Sequence, residues 1–387
     1  MQVTFEIFHK REMMMKRWAT LLFPLVLCAN AAGVCASEIT FQGGLHYDWW
    51  KGNNDTDGNQ VFVPVELGAE MDDFSARVIT AFTRTESDIS GVGKQSLSSV
   101  VDTKVDLSYL LVDKLPVNFL FGLDLNCPTG KNDFDNDEML VIRDPDLVSI
   151  VDHGEGFNVN PNISMTRDWT DWGAGLGAGY LWRGEYDYSW DYQDYDPGDI
   201  AYITAEIRYY LAEDGLLRLY GDYGSFSKDT LDGDDFYRES DFFLLGGETR
   251  YLTQKWETRL DIKGTFRGKS EFREASSRLK TESREGYGDE YAADLLCRYF
   301  FSDKDSLAPF VQLLYVDDNQ YAESSPLYVG TRTKYTAGLS LKRQVSATGS
   351  LELMLRVFHM DDEKGWLDTD DVTYQGHSLV LLYAGSF

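Results

Sequence analysis

Cysteine is scarce in this 387-residue chain: there are four, and Cys28 and Cys35 fall in an N-terminal stretch built like an export signal. The remaining pair, Cys127 and Cys297, is too small for a disulfide framework, although one bridge between them stays open. No C-x-x-C-H occurs, so the chain attaches no c-type haem of its own. Long apolar runs are missing as well. No segment approaches the ~20 residues a spanning helix needs, so no helix holds the protein in a membrane. Positive charge is short too. Setting aside residues 1–36 removes four Lys/Arg and two Asp/Glu from totals of 36 and 64, leaving 32 against 62 and a net charge of −30. That balance argues against nucleic acid or an anionic membrane surface as a partner. Beyond residue 36 the histidines are His46, His153, His359 and His377, and no Ser/His/Asp triad can be assembled around them. We therefore assign no catalytic residue, no cofactor and no metal, and read the protein as a non-enzyme.

What is present begins with export. Met15-Lys16-Arg17 is a basic start, Trp18 to Ala29 is apolar, and Val34-Cys35-Ala36 suits cleavage before Ser37. This predicts a secretory signal peptide over residues 1–36, with Met13, Met14 or Met15 as the true start and Ala29-Asn30-Ala31 as a second cleavage site. Neither Cys28 nor Cys35 has a small residue just before it, which opposes a lipoprotein anchor.

From Glu38 onward, sixteen stretches alternate with period two. Tight breaks fall near 71–73, 112–115, 168–171, 212–215, 252–255, 302–306 and 345–349. Long ones fall near 51–59, 85–99, 127–156, 184–198, 228–236, 269–286, 317–327 and 361–372. Seven short and eight long connections predict an all-β, antiparallel, up-and-down transmembrane β-barrel of about 16 strands over residues 38–387. Trp256, Thr258, Leu260, Ile262, Gly264 and Phe266 oppose Glu257, Arg259, Asp261, Lys263, Thr265 and Arg267, so one face is apolar and the other charged. A soluble two-sheet sandwich also alternates, but at this length it calls for helices or a second domain, and no helical period is long enough.

The chain ends on a strand whose one side carries Leu379, Leu381, Tyr383, Gly385 and Phe387. It resembles the C-terminal assembly signal of bacterial outer-membrane barrels, departing at Gly385, where a second aromatic is common. The resemblance implies Tyr383 and Phe387 as signal residues, the barrel-assembly machinery as a partner, and the outer-membrane bilayer of a Gram-negative cell as the setting. Tyr47, Trp49, Tyr109, Trp169, Trp172, Trp182, Tyr209, Tyr251, Trp256 and Tyr299 gather near strand ends, as an aromatic girdle requires; ordinary β-propensity also enriches aromatics in strands, but their clustering beside turns favours the girdle.

The charged faces supply candidate pore-lining residues: Glu206, Arg208, Arg218, Asp222, Glu248, Arg250, Glu257, Arg259, Asp261, Lys263, Asp294, Arg298, Glu352 and Arg356. Buried in protein, each unpaired charge costs several kcal/mol, so these must face water or neutralise one another across the lumen. They form either a conduction path with a transverse field or an ion-pair lattice that stiffens the wall. We expect Arg259, Lys263, Arg298 and Arg356 to face Glu257, Asp261, Asp294 and Glu352. The longest connection, 127–156, carries Met139, Leu140 and Ile142, then Leu147 and Ile150. Apolar runs are costly in a solvated loop, so this segment is expected to fold inward and constrict the pore; packing on a partner, or a hairpin above the wall, are the alternatives.

Around that loop, Leu125-Asn126-Cys127-Pro128-Thr129-Gly130-Lys131 and Gly154-Glu155-Gly156-Phe157-Asn158-Val159-Asn160-Pro161 resemble a pattern of the outer-membrane family named for the MetA pathway of phenol degradation. The resemblance covers about forty residues, and Cys127 stands where an apolar residue is usual. It implies a barrel channel for small, often aromatic, compounds. The acidic turns Asn53 to Gly58 and Asp133 to Glu138 have oxygens at alternate positions but incomplete calcium-ligand sets, and read as solvated turns. Residues 185–196 interleave Tyr and Trp with acids, suiting a basic partner, a sugar or plain surface. His359 and Asp361 share a strand face, a spacing that arises readily by chance. The leading functional expectation is passive diffusion of small solutes. The competing one is a barrel that sheathes a periplasmic or surface partner such as a multihaem cytochrome.

Overall fold

Alternation at period two becomes a wall with an apolar outside and a polar inside only if the sheet closes on itself, and here it does. A computed structural model describes residues 38–142, 144–211, 214–274, 278–364 and 370–387. The export signal expected over 1–36 lies outside the described residues. The strands are β1 (Glu38–Gly52), β2 (Asp57–Met71), β3 (Phe74–Ile89), β4 (in two pieces, Gly93–Val100 and Thr103–Leu111), β5 (Asn118–Cys127) and β6 (Asn158–Asp168). There follow β7 (Trp172–Arg183), β8 (Ile200–Leu211), β9 (Gly215–Phe226), β10 (Phe242–Leu252), β11 (Trp256–Arg267) and β12 (Glu290–Phe300). The last are β13 (Asp305–Val316), β14 (Arg332–Gln344), β15 (Gly349–Asp362) and β16 (Val372–Ser386). Each pairs antiparallel with its sequence neighbours, and β1 pairs with β16 from Thr40↔Ser386 to Gly52↔Tyr374. The result is a closed 16-stranded antiparallel barrel.

Outside, Ile203, Ile207, Leu219, Leu245, Ile262, Leu355 and Val357 are each more than half exposed on neighbouring strands. An apolar band on that scale is far beyond what a soluble monomer shows to water, which removes the sandwich alternative. Trp172 packs at a tilt on Tyr209 and Trp256 on Tyr299 at the short-turn end, ring centroids 4.6 Å apart in both pairs.

Two of the long breaks expected from sequence are strands instead. Residues 53–56 and 90–92 are all that separate β1 from β2 and β3 from β4, so the 51–59 and 85–99 breaks are hairpins rising beyond the band. The region read as loop because its side chains are polar: Thr83, Thr85 and Ser87 lie on the inward face of β3, all at most 2% exposed. Other long connections carry short strands of their own. Tyr195–Asp196, Asp229–Leu231, Asp234–Arg238, Glu271–Arg273 and Leu279–Thr281 build a second, five-stranded sheet at the long-loop end.

At the seam, Phe387 exchanges backbone bonds with Ile39 (N to O 2.9 Å, and O from N 3.3 Å) while its ring stays 78% exposed. A ring that packs on so little contributes little to folded-state stability. We predict that Phe387→Ala lowers the yield of heat-modifiable, folded barrel in cells, while the unfolding temperature of the fraction that does fold changes by no more than a few degrees. A large drop in that temperature would show that the ring acts through packing.

Candidate functional site

The long connection, 128–157, is tied down at both ends by one carboxylate. Asp102 accepts from Gly130 N, Glu155 N and Asn126 Nδ2, each at 2.7 Å. It sits at the break between the two pieces of β4, where the upper piece has left β5 and the loop takes over as its neighbour. Within the loop, a one-turn helix α1 (Asn136–Met139) starts at a capping box of Asp135 and Glu138, and Lys131 pairs with Glu138. Two of the carboxylates that suggested a calcium turn, Asp135 and Glu138, are thus spent on a cap and an ion pair.

The two apolar runs go to different places. Val141 is buried with Leu97 and Phe134, with Met139 and Ile142 packed alongside, while Leu140 is 41% exposed. Tyr188 of the aromatic and acidic connection meets the Phe134 ring edge-on, and Phe134 N donates to Tyr188 O. Residues 185–196 therefore serve as a collar for the loop. The second run lies inside against one wall: Leu147 and Val148 are buried with Trp50, Phe358, Met360, Val372 and Tyr374, all inward-facing on β1, β15 and β16. Ile150 is held by its backbone, its N–H donating to Gln60 Oε1 and its carbonyl accepting from Gln60 Nε2, both at 2.8 Å.

Charge completes the attachment. Arg332 Nη1 lies 2.6 Å from Asp144 and 2.7 Å from Asp146 on the loop, and its Nη2 lies 2.8 Å from Asp362 on β15. Arg356 Nη2 reaches Asp48 at 3.0 Å and the Ser149 hydroxyl at 3.2 Å, and Ser149 donates to Asp48 at 2.8 Å. Lys334 donates to the Asp146 carbonyl and stands over the Phe358 ring, 4.9 Å from its centroid. Arg332, Lys334, Asp48, Gln60, Asp144 and Asp146 were absent from the sequence-derived candidates. The available signal was the pair of acids between the two apolar runs, which needs a cationic counterpart if the loop goes inside.

The opposite wall differs. Cross-strand register places Arg218 opposite Glu248, Glu248 opposite Asp261, Arg250 opposite Arg259, Asp261 opposite Asp294 and Glu257 opposite Arg298, all on one inward face. The ion pairs run along the wall, as in the ion-pair lattice that was one of the two expectations. Arg218 joins Glu206 (2.7 Å) to Glu248 (3.3 Å), Arg259 approaches Glu248 (3.6 Å), and Glu257 takes Arg250 (2.9 Å) and Arg298 (3.6 Å). Arg208 lies 3.3 Å from both Glu206 and Asp168. Asp261 accepts from the Tyr220 hydroxyl, Asp294 from Gln312 and Glu352 from Ser340. Asp222 borders a recess beside Glu206 and Arg218, and Lys263 borders another beside Asp294. Neighbouring strands are ~4.8 Å apart, so these side chains reach each other with no need to span the bore. Next to this ladder, β7 turns glycines inward: a Cβ on Gly179 would sit 2.2 Å from the Tyr202 hydroxyl, and one on Gly177 2.7 Å from Thr204. Tyr202 lies across that floor and donates to Asn160 Oδ1 at 3.1 Å.

His359 and Asp361 do approach, at 3.3 Å, but on the outward face, both about half exposed. His153 is different. It is 3% exposed, with Nδ1 2.7 Å from Ser99 Oγ, and burial followed by the Lys131 charge lowers its pKa to about 4. An undocked loop takes up this proton near the ordinary value of 6.5, so docking loses a few kcal/mol as pH falls from about 6.5 towards 4. Glu155, raised by burial and Asp152, works in the opposite sense. We therefore predict that the loop's amide exchange protection falls with pH in that window more steeply in the wild type than in His153→Asn. Equal slopes would place the loop's acid sensitivity elsewhere. Arg332→Gln leaves three carboxylates without their cation; Asp362 is buried but Asp144 and Asp146 are partly exposed, so the loss falls below the roughly 3–5 kcal/mol of a fully buried pair. The expected result is a protease-sensitive 128–157 loop in a barrel that still shifts on heating.

Comparison with known proteins adds the following. The family model described as "Putative MetA-pathway of phenol degradation" matches residues 39–279. Among solved structures, the chain is similar to OccK7 (OpdD) of Pseudomonas aeruginosa, with 10% identity, a TM-score of 0.47, and coverage of 90% of this chain and 99% of that one. It is similar to an outer membrane channel from Pseudomonas putida F1 at 15% identity and a TM-score of 0.36, covering 91% and 96%. It is also similar to the outer membrane channel DcaP of Acinetobacter baumannii at 12% identity and a TM-score of 0.43, covering 90% and 97%. No curated protein matches the chain.

Proposed function

This chain belongs to the MetA-pathway phenol-degradation family of outer-membrane barrels, and on that premise we propose that it is a porin-like channel for passive diffusion of small solutes, narrowed by the 128–157 loop. The observation that carries this reading is the second apolar run, Leu147 and Val148, packed on inward-facing Trp50, Phe358 and Met360. A loop fixed there by charge and by the Gln60 amide narrows the bore from one side. The solute path then runs between the loop and the ladder of Glu206, Arg218, Glu248, Asp261 and their neighbours, where mixed signs favour weak charge selectivity. The acidic outer connections add a negative mouth, but at about 0.15 M salt its field decays over ~8 Å and reaches the constriction weakly. A modest cation preference, stronger at low salt, is expected. A loop of the chain's own lying inside the wall takes space that a sheathed cytochrome would need, which ranks that reading second.

Replacing residues 134–150 with a short Gly/Ser linker is predicted to raise single-channel conductance in planar bilayers several-fold. Unchanged conductance in a barrel shown to be folded would mean that the loop does not limit the path.

A further inference from the structure

Where the loop meets the wall it leaves a niche of about 320 Å³, bounded by loop residues 145–149 and by inward side chains of β13 to β16. We propose that this niche binds a small organic carboxylate, an inference that rests on the loop lying beside the solute path. Thr336 on β14 faces Phe358 on β15; Lys334 stands one inward position above that pair and Arg356 one below it. The ammonium leans down over the Phe358 ring, so both cations and the ring border the same space.

Its donors outnumber its acceptors. Lys334 has three N–H groups and, among the described residues, one acceptor, the Asp146 carbonyl. Arg356 commits Nε to Ser378 and Nη2 to Asp48 and Ser149, leaving Nη1 without a partner among the described residues. Ser378 accepts from Arg356, which frees its own proton, and the Thr336 hydroxyl has no bond among the described residues. The nearby acids are committed: Asp48 to Arg356 and Ser149, and Asp146 to Arg332. A ligand that fits brings acceptors and negative charge, and carries an apolar body short enough for the Phe358 and Leu147 side. The volume equals about ten waters at ~30 Å³ each, room for an acid of a few carbons. Charge-assisted bonds in a partly desolvated recess favour such an anion over its neutral amide.

The test is calorimetric titration of the folded, detergent-solubilised barrel with butyrate, butyramide, butylammonium and inorganic phosphate. Butyrate is expected to bind saturably at one site, with the amide and the amine weaker by about tenfold or more, the value of one hydrogen bond to a charged group. Lys334→Gln, which retains a donor for the Asp146 carbonyl, should weaken butyrate by a similar factor; Thr336→Val provides a second variant, with a smaller loss. Butyramide binding as tightly as butyrate, or a Lys334→Gln barrel that binds butyrate unchanged, overturns the proposal. Phosphate binding more tightly than butyrate overturns the carboxylate class. The titration needs no conduction: butyrate bound at one site in a barrel whose conductance ignores the loop would uphold the niche while the channel reading falls, and the reverse result would separate them the other way.

Discussion

A backbone amide inside hydrocarbon has no water to bond, so a sheet crossing a bilayer must leave no free edge. Everything else in this protein follows from that constraint. It demands that β1 meet β16, which they do over thirteen residue pairs. Closure then sorts every strand residue into one of two solvents. Outward positions become Ile, Leu, Val and Tyr, and inward positions are released to carry charge. The chain's −28 formal charge is tolerable because much of it faces water in the lumen or at the mouth.

The interior that closure creates has two unlike walls. On one, cations of β14 and β15 are taken up by Asp144, Asp146 and Asp48, and the loop is drawn against them. On the other, acids and arginines satisfy each other along the strands, and the bare glycines of β7 let flanking side chains lie flat. The remaining bore is off-centre, lined by a rigid ladder on one side and by an anchored loop on the other. Such asymmetry places a ladder of fixed charges on one side of the interior and an anchored segment of the chain on the other.

The barrel was legible because its determinants are local. Period-two alternation and tight Asp- and Gly-containing turns specify strands whatever the rest of the chain does, and positive φ at Asp72 and Asp113 shows how short turns exploit residues that tolerate it. Upper β3 and β4 were misread because polar Thr83, Thr85 and Ser87 signal loop locally, while their burial depends on a segment some sixty residues later. The inward charged residues could be named from strand parity, but their partners could not, since pairing depends on register between strands. Arg332 and Asp144 are 188 positions apart, and no local pattern joins them.

That separation also sets a timetable. Leu147, Val148, Asp144 and Asp146 come early in the chain, yet half of their binding surface, Arg332, Phe358, Met360 and Tyr374, is near its end. Contacts so distant in sequence form only after the intervening chain is ordered. The barrel must therefore be nearly shut before its loop has anywhere to rest. During assembly the loop's resting place is completed only as the C-terminal strands join the wall, so the early segment waits on the late one.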